Sequence, residues 1–188
     1  MEKGTLYICP TPIGNLEDIT LRTLRVLREV DLIAAEDTRR TIKLLNHYEI
    51  KKPLTSYHEH NKKAKGEFLI EKLKEGKSIG LVTDAGMPGI SDPGEDLIKL
   101  AIENAIELVV LPGPTASITA LVNSGLPTGK FAFEGFLPSK RKERIKELES
   151  LKDETRTIIV YEAPHRLLSL LKDIKETLGD RRISISRE

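Results

Sequence analysis

Residues 78–94 read SIGLVTDAGMPGISDPG, an apolar segment that passes directly into a loop. The aliphatic residues at 78–83 predict a buried β-strand. Of the next eleven residues, 84–94, five are Gly or Pro, which disfavours a helix and leaves backbone N–H and C=O groups free to contact a ligand. Because ligands of open parallel sheets bind at the carboxyl ends of the strands, this loop is a candidate binding site. An ordinary turn is the alternative.

Similar strands alternate with amphipathic stretches along the chain, which predicts an α/β fold with mostly parallel strands. Apolar residues at spacings of three and four, such as Leu21 and Leu24, mark the helices. Helix starts are predicted at Thr20, Asn61 and Thr115. The predicted strands lie near residues 5–9, 32–35, 53–57, 78–83, 108–111, 131–134, 156–161 and 182–186.

A domain boundary is predicted near residues 111–114, where the strand that closes the first half ends and a new alternation begins. The predicted domains are an N-terminal α/β domain at 1–112 and a C-terminal α/β domain at 113–188. The second is short for an independent α/β domain and its last strand has no closing helix, so it is predicted to be incomplete.

Composition limits the possible function classes. The 188 residues include 30 basic and 29 acidic side chains, a net charge of +1, so any RNA-binding surface must be a local patch. The single cysteine, Cys9, excludes an internal disulfide and favours a reducing setting. No apolar run approaches the ~20 residues of a membrane span, and residues 1–5 lack the apolar segment of a signal peptide. The sequence therefore predicts a soluble cytoplasmic protein.

Two more loops follow predicted strands, PTPIGN at 10–15 and PGPTA at 112–116. Neither these nor 84–94 has the glycine spacing of a dinucleotide or triphosphate cradle, so a ligand with little phosphate is favoured. A sulfonium cofactor suits such a site, because carbonyl dipoles and a carboxylate such as Asp84 stabilise its positive charge.

Short blocks along the whole chain resemble, in order, those of the bacterial small-subunit ribosomal RNA methyltransferase I family, a branch of the tetrapyrrole methylase superfamily. The blocks are TPIGNL at 11–16, DITLR at 18–22, AAEDTR at 34–39, YHEHN at 57–61, residues 84–94, SGL at 124–126, GFLP at 135–138 and YEAPHR at 161–166.

This resemblance implies a two-domain tetrapyrrole methylase-like fold that binds S-adenosylmethionine between its domains and methylates a cytidine ribose 2′-oxygen in 16S RNA. It also implies a homodimer, with the ribosomal RNA or the 30S subunit as partner. Members continue beyond an Arg-Glu pair like Arg187-Glu188, which again implies an incomplete second domain. The tetrapyrrole branch has Gly-Asp-Pro where this chain has GMP at 86–88, so a carboxylate contact there is not assumed. The implied cofactor contacts are Pro12, Ala85, Gly86, Met87, Ile90, Thr115, Ala116 and Glu162, to which the sulfonium argument adds Asp84.

A ribose hydroxyl needs a base to remove its proton, and Glu36, Asp37 and His58 are the candidates. Helix capping is the alternative for the two acids. Asn15 and Arg39 are candidates to orient the ribose or a phosphate. No metal is predicted, because His58 and His60 have no evident third ligand.

The densest charge run, Lys140-Arg141-Lys142-Glu143-Arg144, is predicted to fall in the first turn of a helix, where cations are unfavourable. Phosphate binding by Lys140, Arg141, Lys142 and Arg144 explains that placement, and a solvated helix face is the alternative. The same surface is predicted to include Arg39, Arg40, Lys62 and Lys63.

The sequence is also compatible with two other functions. One is methylation of a tetrapyrrole or another small acceptor, which has no use for the basic run. The other is a module that binds the cofactor without catalysis.

Overall fold

A computed structural model describes residues 3–187 of the chain. Met1 and Glu2, at the start of the segment considered for a signal peptide, and Glu188 of the Arg-Glu pair lie outside the described residues. The chain forms two compact units, the first ending at Thr115 and the second beginning at Ala116.

The first unit contains a five-stranded parallel sheet in the order β3-β2-β4-β1-β5. Its central strand, β4, is formed by the apolar segment predicted from the sequence, and all four of its residues are buried. The prediction of an α/β fold with mostly parallel strands is thus confirmed. The strands are β1 (Thr5–Ile8), β2 (Leu32–Ala35), β3 (Leu54–Ser56), β4 (Ile79–Val82) and β5 (Glu107–Val110).

Helices cover both faces of this sheet. They are α1 (Leu21–Glu29), α2 (Thr38–His47), α3 (Lys62–Lys74) and α4 (Gly94–Glu103), with a short 3-10 helix at Leu16–Asp18. Buried side chains of α1 and α2, such as Leu27 and Leu45, form one apolar layer, and those of α3 and α4, such as Leu69 and Leu97, form the other. Cys9 lies in the first layer, where burial raises its pKa to about 12. Its thiol is therefore a packing group rather than a nucleophile.

Two of the predicted helix starts are used differently. Thr20 caps α1, since its side-chain oxygen accepts a hydrogen bond from the Thr23 N–H at 3.0 Å. Asn61 precedes α3, but its side chain makes no capping bond and instead accepts the His58 N–H at 2.9 Å. Asn61 therefore holds the turn before the helix.

The second unit pairs two parallel strands, β6 (Phe131–Phe136) and β7 (Thr157–Tyr161), with three helices. The helices are α5 (Ala116–Asn123), α6 (Arg141–Ser150) and α7 (Leu167–Leu178), the last preceded by a 3-10 helix at Pro164–Arg166. Its small core includes Leu137, Leu148 and Leu170.

The predicted strand at residues 182–186 is wrong. Its alternating apolar residues, Ile183 and Ile185, are 53% and 55% exposed, and the segment has no regular secondary structure. A strand needs a neighbour for its backbone hydrogen bonds, and within residues 3–187 no strand pairs with this segment.

The described helices include none with the length and apolar character needed to cross a membrane.

Candidate active site at the strand ends

Three loops at the carboxyl ends of the strands meet at Gly86. The backbones of Gly86 and Thr11 exchange two hydrogen bonds, with each N–H donating to the other carbonyl oxygen at 3.0 Å. Gly86 has a φ of +84°, and a Cβ there would lie 3.3 Å from Ile13 Cγ2 and 3.6 Å from the Pro114 carbonyl oxygen. The loops after β1, β4 and β5 thus converge at a position that favours glycine.

The predicted cofactor residues of the first unit belong to these loops. Ala85 and Ile90 are exposed, whereas Pro12 is half-buried and Met87 packs against the apolar layer of α3 and α4. Thr115 donates its hydroxyl to the Gly113 carbonyl oxygen at 3.3 Å. The loops therefore combine main-chain groups with small and apolar side chains.

Asp92 holds the second half of the 84–94 loop, a role that sequence reasoning missed. Its carboxylate accepts the Gly89 N–H at 2.9 Å and the Gly94 N–H at 2.7 Å, which fixes the turn before α4. Burial raises the pKa of Asp92, and these two N–H donors oppose the rise. An Asp two residues before a helix start was the available signal.

Glu36 and Asp84, here called the carboxylate pair, follow β2 and β4. Glu36 accepts the Thr83 hydroxyl at 2.6 Å and the Asp84 N–H at 3.3 Å. Asp84 accepts the Asp37 N–H at 3.1 Å, and its other oxygen lies 3.3 Å from a guanidinium nitrogen of Arg40. Burial and then the charge of Glu36 raise the pKa of Asp84, and Arg40 only partly opposes them. A higher pKa makes Asp84 a stronger proton acceptor once it is ionised.

Asp37, next to the carboxylate pair, caps α2. Its carboxylate accepts the Arg39 N–H at 2.9 Å and two guanidinium N–H groups of Arg39 at 3.1 and 2.9 Å. These bonds lower the pKa of Asp37 to about 2. The structure therefore favours helix capping over proton transfer for Asp37.

His58 follows β3 and lies in a turn organised by Asn61, whose side-chain nitrogen is 3.2 Å from His58 Nε2. Its Nδ1 is buried without a hydrogen-bond partner in the described part of the chain. No hydrogen bond or ion pair among residues 3–187 joins His58 to the carboxylate pair. The rings of His58 and His60 are 6.0 Å apart, and the described residues contain no group of three or more potential metal ligands.

A cleft of about 260 Å³ lies between the loop after β1 and helix α2, and we call it the loop–α2 cleft. It is lined by Thr11, Pro12, Gly14, Leu16, Arg40, Thr41, Lys43, Leu44, Thr83 and Asp84. Asn15, in the same loop, accepts the Glu17 N–H at 3.1 Å and so caps the 3-10 helix. The cleft brings Arg40 and Asp84 together but does not include Asn15 or Arg39.

In the second unit, Glu162 follows β7 with its side chain only 4% exposed. One carboxylate oxygen accepts the Arg166 guanidinium at 2.6 Å and the Ala163 N–H at 2.8 Å. The other oxygen is buried and has no hydrogen-bond partner in the described residues. Ala116, the other predicted contact of this unit, is exposed at the start of α5. Glu162 thus has an unused acceptor, which a bound ligand can satisfy.

The basic run lies at the start of α6, as predicted. Arg144, however, is only 4% exposed and cannot contribute to a phosphate-binding surface. Its guanidinium donates to Asp173 of α7 and to the carbonyl oxygens of Pro138 and Ser139. Arg141 also pairs with Asp173, at 2.8 Å. The unfavourable cations in the first turn are therefore offset by Asp173, and the prediction for Arg144 is corrected.

The other predicted RNA contacts are exposed. Arg39 and Arg40 pair with Asp37 and Asp84 as described, Arg141 also contacts Glu176 at 2.6 Å, and Lys140 lies 3.3 Å from Glu143. Lys142 has no ion-pair or hydrogen-bond partner within residues 3–187. Lys62, which was predicted to extend this surface, pairs with Glu59 and Asp96.

Comparison with known proteins supplies the family. The family model of the tetrapyrrole (corrin/porphyrin) methylases matches this sequence over residues 5–188. Proteins called ribosomal RNA small subunit methyltransferase I are 55% identical in Halalkalibacterium halodurans, 54% in Bacillus subtilis and 55% in Thermotoga maritima. The matches cover 98 to 100% of this chain, and 65%, 64% and 83% of those relatives. This chain thus spans about two thirds of the length of the first two.

Solved structures share the fold at lower identity. A uroporphyrin-III C-methyltransferase from Thermus thermophilus superposes with a TM-score of 0.62 at 21% identity, covering 94% of this chain and 73% of that one. A uroporphyrin-III C-methyltransferase from Thermus thermophilus complexed with S-adenosylhomocysteine gives a TM-score of 0.65 at 18% identity, with coverage of 95% of this chain and 78% of that one.

Proposed function

We propose a methyl-transfer function for this chain, which belongs to the tetrapyrrole (corrin/porphyrin) methylase family and, within it, to the ribosomal RNA small subunit methyltransferase I group. The proposed reaction is S-adenosylmethionine-dependent methylation of a cytidine ribose 2′-oxygen in small-subunit ribosomal RNA. One observation carries the proposal: three strand-end loops converge on Gly86. Two residues earlier, the Asp84 N–H donates to the Glu36 carboxylate.

The residues present fit S-adenosylmethionine. In the first unit, Gly86 leaves a space that a Cβ would fill. In the second unit, the buried Glu162 oxygen, which has no hydrogen-bond partner among the described residues, offers an acceptor to a polar ligand group. When bound, the cofactor would supply an electrophilic methyl group on a positively charged sulfur. The residues proposed to hold it are Pro12, Asp84, Ala85, Gly86, Met87, Ile90, Thr115, Ala116 and Glu162.

Replacement of Gly86 by Val tests the cofactor site. We expect the Kd for S-adenosylmethionine to rise about tenfold or more, because a β-branched residue at positive φ is strained and its Cβ enters the space between the loops. Isothermal titration measures the Kd, and thermal unfolding monitors the fold. Gly129→Val is the matched control, since no heavy atom lies within 4 Å of a Cβ there. Equal affinities of the two variants would contradict the assignment.

The carboxylate pair is the proposed proton acceptor. A ribose hydroxyl becomes an effective nucleophile as its proton leaves, so a carboxylate near the acceptor assists the reaction. Asp84 lines the loop–α2 cleft and has a raised pKa, whereas Asp37 is held ionised by Arg39. Glu36 positions Asp84 through its bond from the Asp84 N–H. No contact with the carboxylate pair supports His58 as the base, so its role remains a prediction.

The decisive test is methyl transfer from tritium-labelled S-adenosylmethionine to small-subunit ribosomal RNA, to the 30S subunit and to a porphyrinoid. We expect the label in RNA, in a dinucleotide that survives alkali, because a methylated 2′-oxygen cannot attack the neighbouring phosphate. Label in the porphyrinoid alone would replace this proposal with tetrapyrrole methylation. Cofactor binding without transfer to any acceptor would favour a non-catalytic module.

RNA contact is proposed for the exposed cations Arg39, Arg40, Lys140, Arg141 and Lys142, with Asn15 as a further candidate. Because Arg141 is bound to Asp173, the contribution of the α6 run is expected to come mainly from Lys140 and Lys142. We also propose a cytoplasmic location, which a ribosomal RNA substrate would require. The homodimer remains a prediction from family resemblance.

A further inference from the structure

The loop–α2 cleft lies entirely within the first unit and is lined by two cations and a carboxylate. Arg40 and Lys43 are exposed side chains on α2, three residues apart and therefore on neighbouring positions of one helix face. Thr83 and Asp84 come from the end of β4, and Thr83 is buried. The cleft thus has cations on the helix side and a carboxylate at the strand end.

Lys43 differs from its neighbour Arg40 in having no counter-ion. Arg40 lies 3.3 Å from Asp84, whereas Lys43 makes no ion pair or hydrogen bond with any residue between 3 and 187. Because the described residues supply no counter-ion to Lys43, its ammonium is available to an anion that enters the cleft. Lys43 belongs to none of the sequence blocks that carry the family resemblance.

Apolar side chains from the loop after β1 and from α2 complete the lining of the cleft. Pro12 and Leu16 face the cleft from the loop after β1, and Leu44 lines it from α2. The Tyr48 hydroxyl donates to the Leu16 carbonyl oxygen at 2.5 Å, which ties this loop to the segment after α2. None of the described residues that line the cleft is aromatic, so base stacking is not the proposed basis of recognition there.

We propose that the loop–α2 cleft binds one ribose-phosphate unit of the acceptor RNA strand, with Lys43 contacting the phosphate and Asp84 facing the sugar hydroxyls. A ribose-phosphate unit offers an anion and hydroxyl groups, and the cleft offers the ammonium of Lys43 on α2 and the carboxylate of Asp84 at the end of β4. The volume of about 260 Å³ is below the roughly 300–1,000 Å³ of pockets for drug-sized ligands, which suits one sugar-phosphate unit. This inference rests on the proposed function and adds a binding residue to it.

The test compares Lys43→Ser with Lys51→Ser, a change of another exposed lysine without an ion-pair partner among residues 3–187 that lies outside the cleft. Fluorescence anisotropy measures binding of a labelled single-stranded fragment of small-subunit ribosomal RNA at several salt concentrations. We expect Lys43→Ser to weaken binding about three- to tenfold at low salt and to reduce the log–log salt slope by about 0.7, the value for one phosphate contact on a single strand. Lys51→Ser should leave the RNA affinity and the salt slope near the wild-type values.

Cofactor affinity, measured by titration for the same proteins, should be unchanged in both variants and shows that they are folded. Equal salt slopes for Lys43→Ser and Lys51→Ser would overturn the cleft assignment while leaving the methyltransferase proposal intact. Wild-type protein that binds the cofactor but neither the RNA fragment nor the 30S subunit would overturn both. Cytidine monophosphate that binds as tightly as the RNA fragment, and loses affinity in Lys43→Ser, would reassign the cleft to a free nucleotide and also overturn the proposal.

Discussion

Replacing Asp84 by Asn is expected to lower the rate of methyl transfer about 10²–10⁴-fold, the usual contribution of a general base. Asn keeps the size of the side chain and can still accept the Asp37 N–H, but it cannot take up a proton. Single-turnover transfer to ribosomal RNA with saturating cofactor measures the chemical step. Because Asp84 is also a proposed cofactor contact, the Kd for S-adenosylmethionine is measured separately, and it should rise by a smaller factor than the rate falls.

Asp37→Asn is the matched control because Asp37 is a neighbouring carboxylate whose pKa is lowered to about 2. Loss of the Asp37 carboxylate should destabilise the start of α2 more than it lowers the rate of methyl transfer. A base must be deprotonated to act, so the wild-type rate should rise with pH and level off above the pKa of Asp84, which burial places above the ordinary aspartate value. Equal rate losses in the two variants would reject Asp84 as the base.

Replacing Asp173 by Ala is expected to destabilise the second unit by about 3–5 kcal/mol, because it leaves the buried guanidinium of Arg144 without its counter-ion. Hydrogen exchange of α6 and α7 peptides measures this locally and separates it from unfolding of the first unit. Exchange in the β1–β5 sheet should be little changed.

Two variants define the origin of that loss. Glu176→Ala removes only the exposed partner of Arg141 and should leave the protection of α6 and α7 close to that of the wild type, since exposed ion pairs contribute little. The double change Arg144→Met with Asp173→Leu should recover most of the stability, since it removes both buried charges. If the double variant is as unstable as Asp173→Ala, the unpaired charge is not the cause.

The same pair predicts acid sensitivity. Burial alone would raise the pKa of Asp173, but hydrogen bonds from Arg144 and Arg141 outweigh it and the net shift is downward. A carboxyl whose folded-state pKa lies below its unfolded value contributes stability above the ordinary aspartate pKa of about 4. That contribution is lost as the pH falls through the lowered pKa. Protection of α6 and α7 should therefore decline below about pH 4, and less so in the double variant.

The sequence predicted the parts of the fold that depend on local pattern. The strand within 78–83 was evident because a fully buried parallel strand is continuously apolar. The segment 182–186 has the alternation of a strand, but alternation does not supply a neighbouring strand to pair with. Local pattern therefore predicts which segments can be strands, and long-range pairing decides which of them are.

Candidate-site predictions divided in the same way. The three loops were predicted because Gly and Pro mark them directly in the sequence. Arg144 was misinterpreted because its partner, Asp173, is 29 residues away and no local rule connects them. Asp84 was predicted as a cofactor contact, but its raised pKa was not predicted. That pKa depends on burial and on the charge of Glu36, which lies 48 residues earlier in the sequence and accepts the Asp84 N–H.

The link between Thr11 and the loop after β4 has a kinetic consequence. The Thr11 hydroxyl donates to the Thr83 carbonyl oxygen across 72 residues of chain, and the Thr11–Gly86 bridge lies beside it. Contacts of such high contact order form slowly, after the intervening segments have collapsed. The binding loops should thus be assembled late in folding, once β1 and β4 are adjacent. A ligand that recognises them will accordingly slow unfolding more than it speeds refolding.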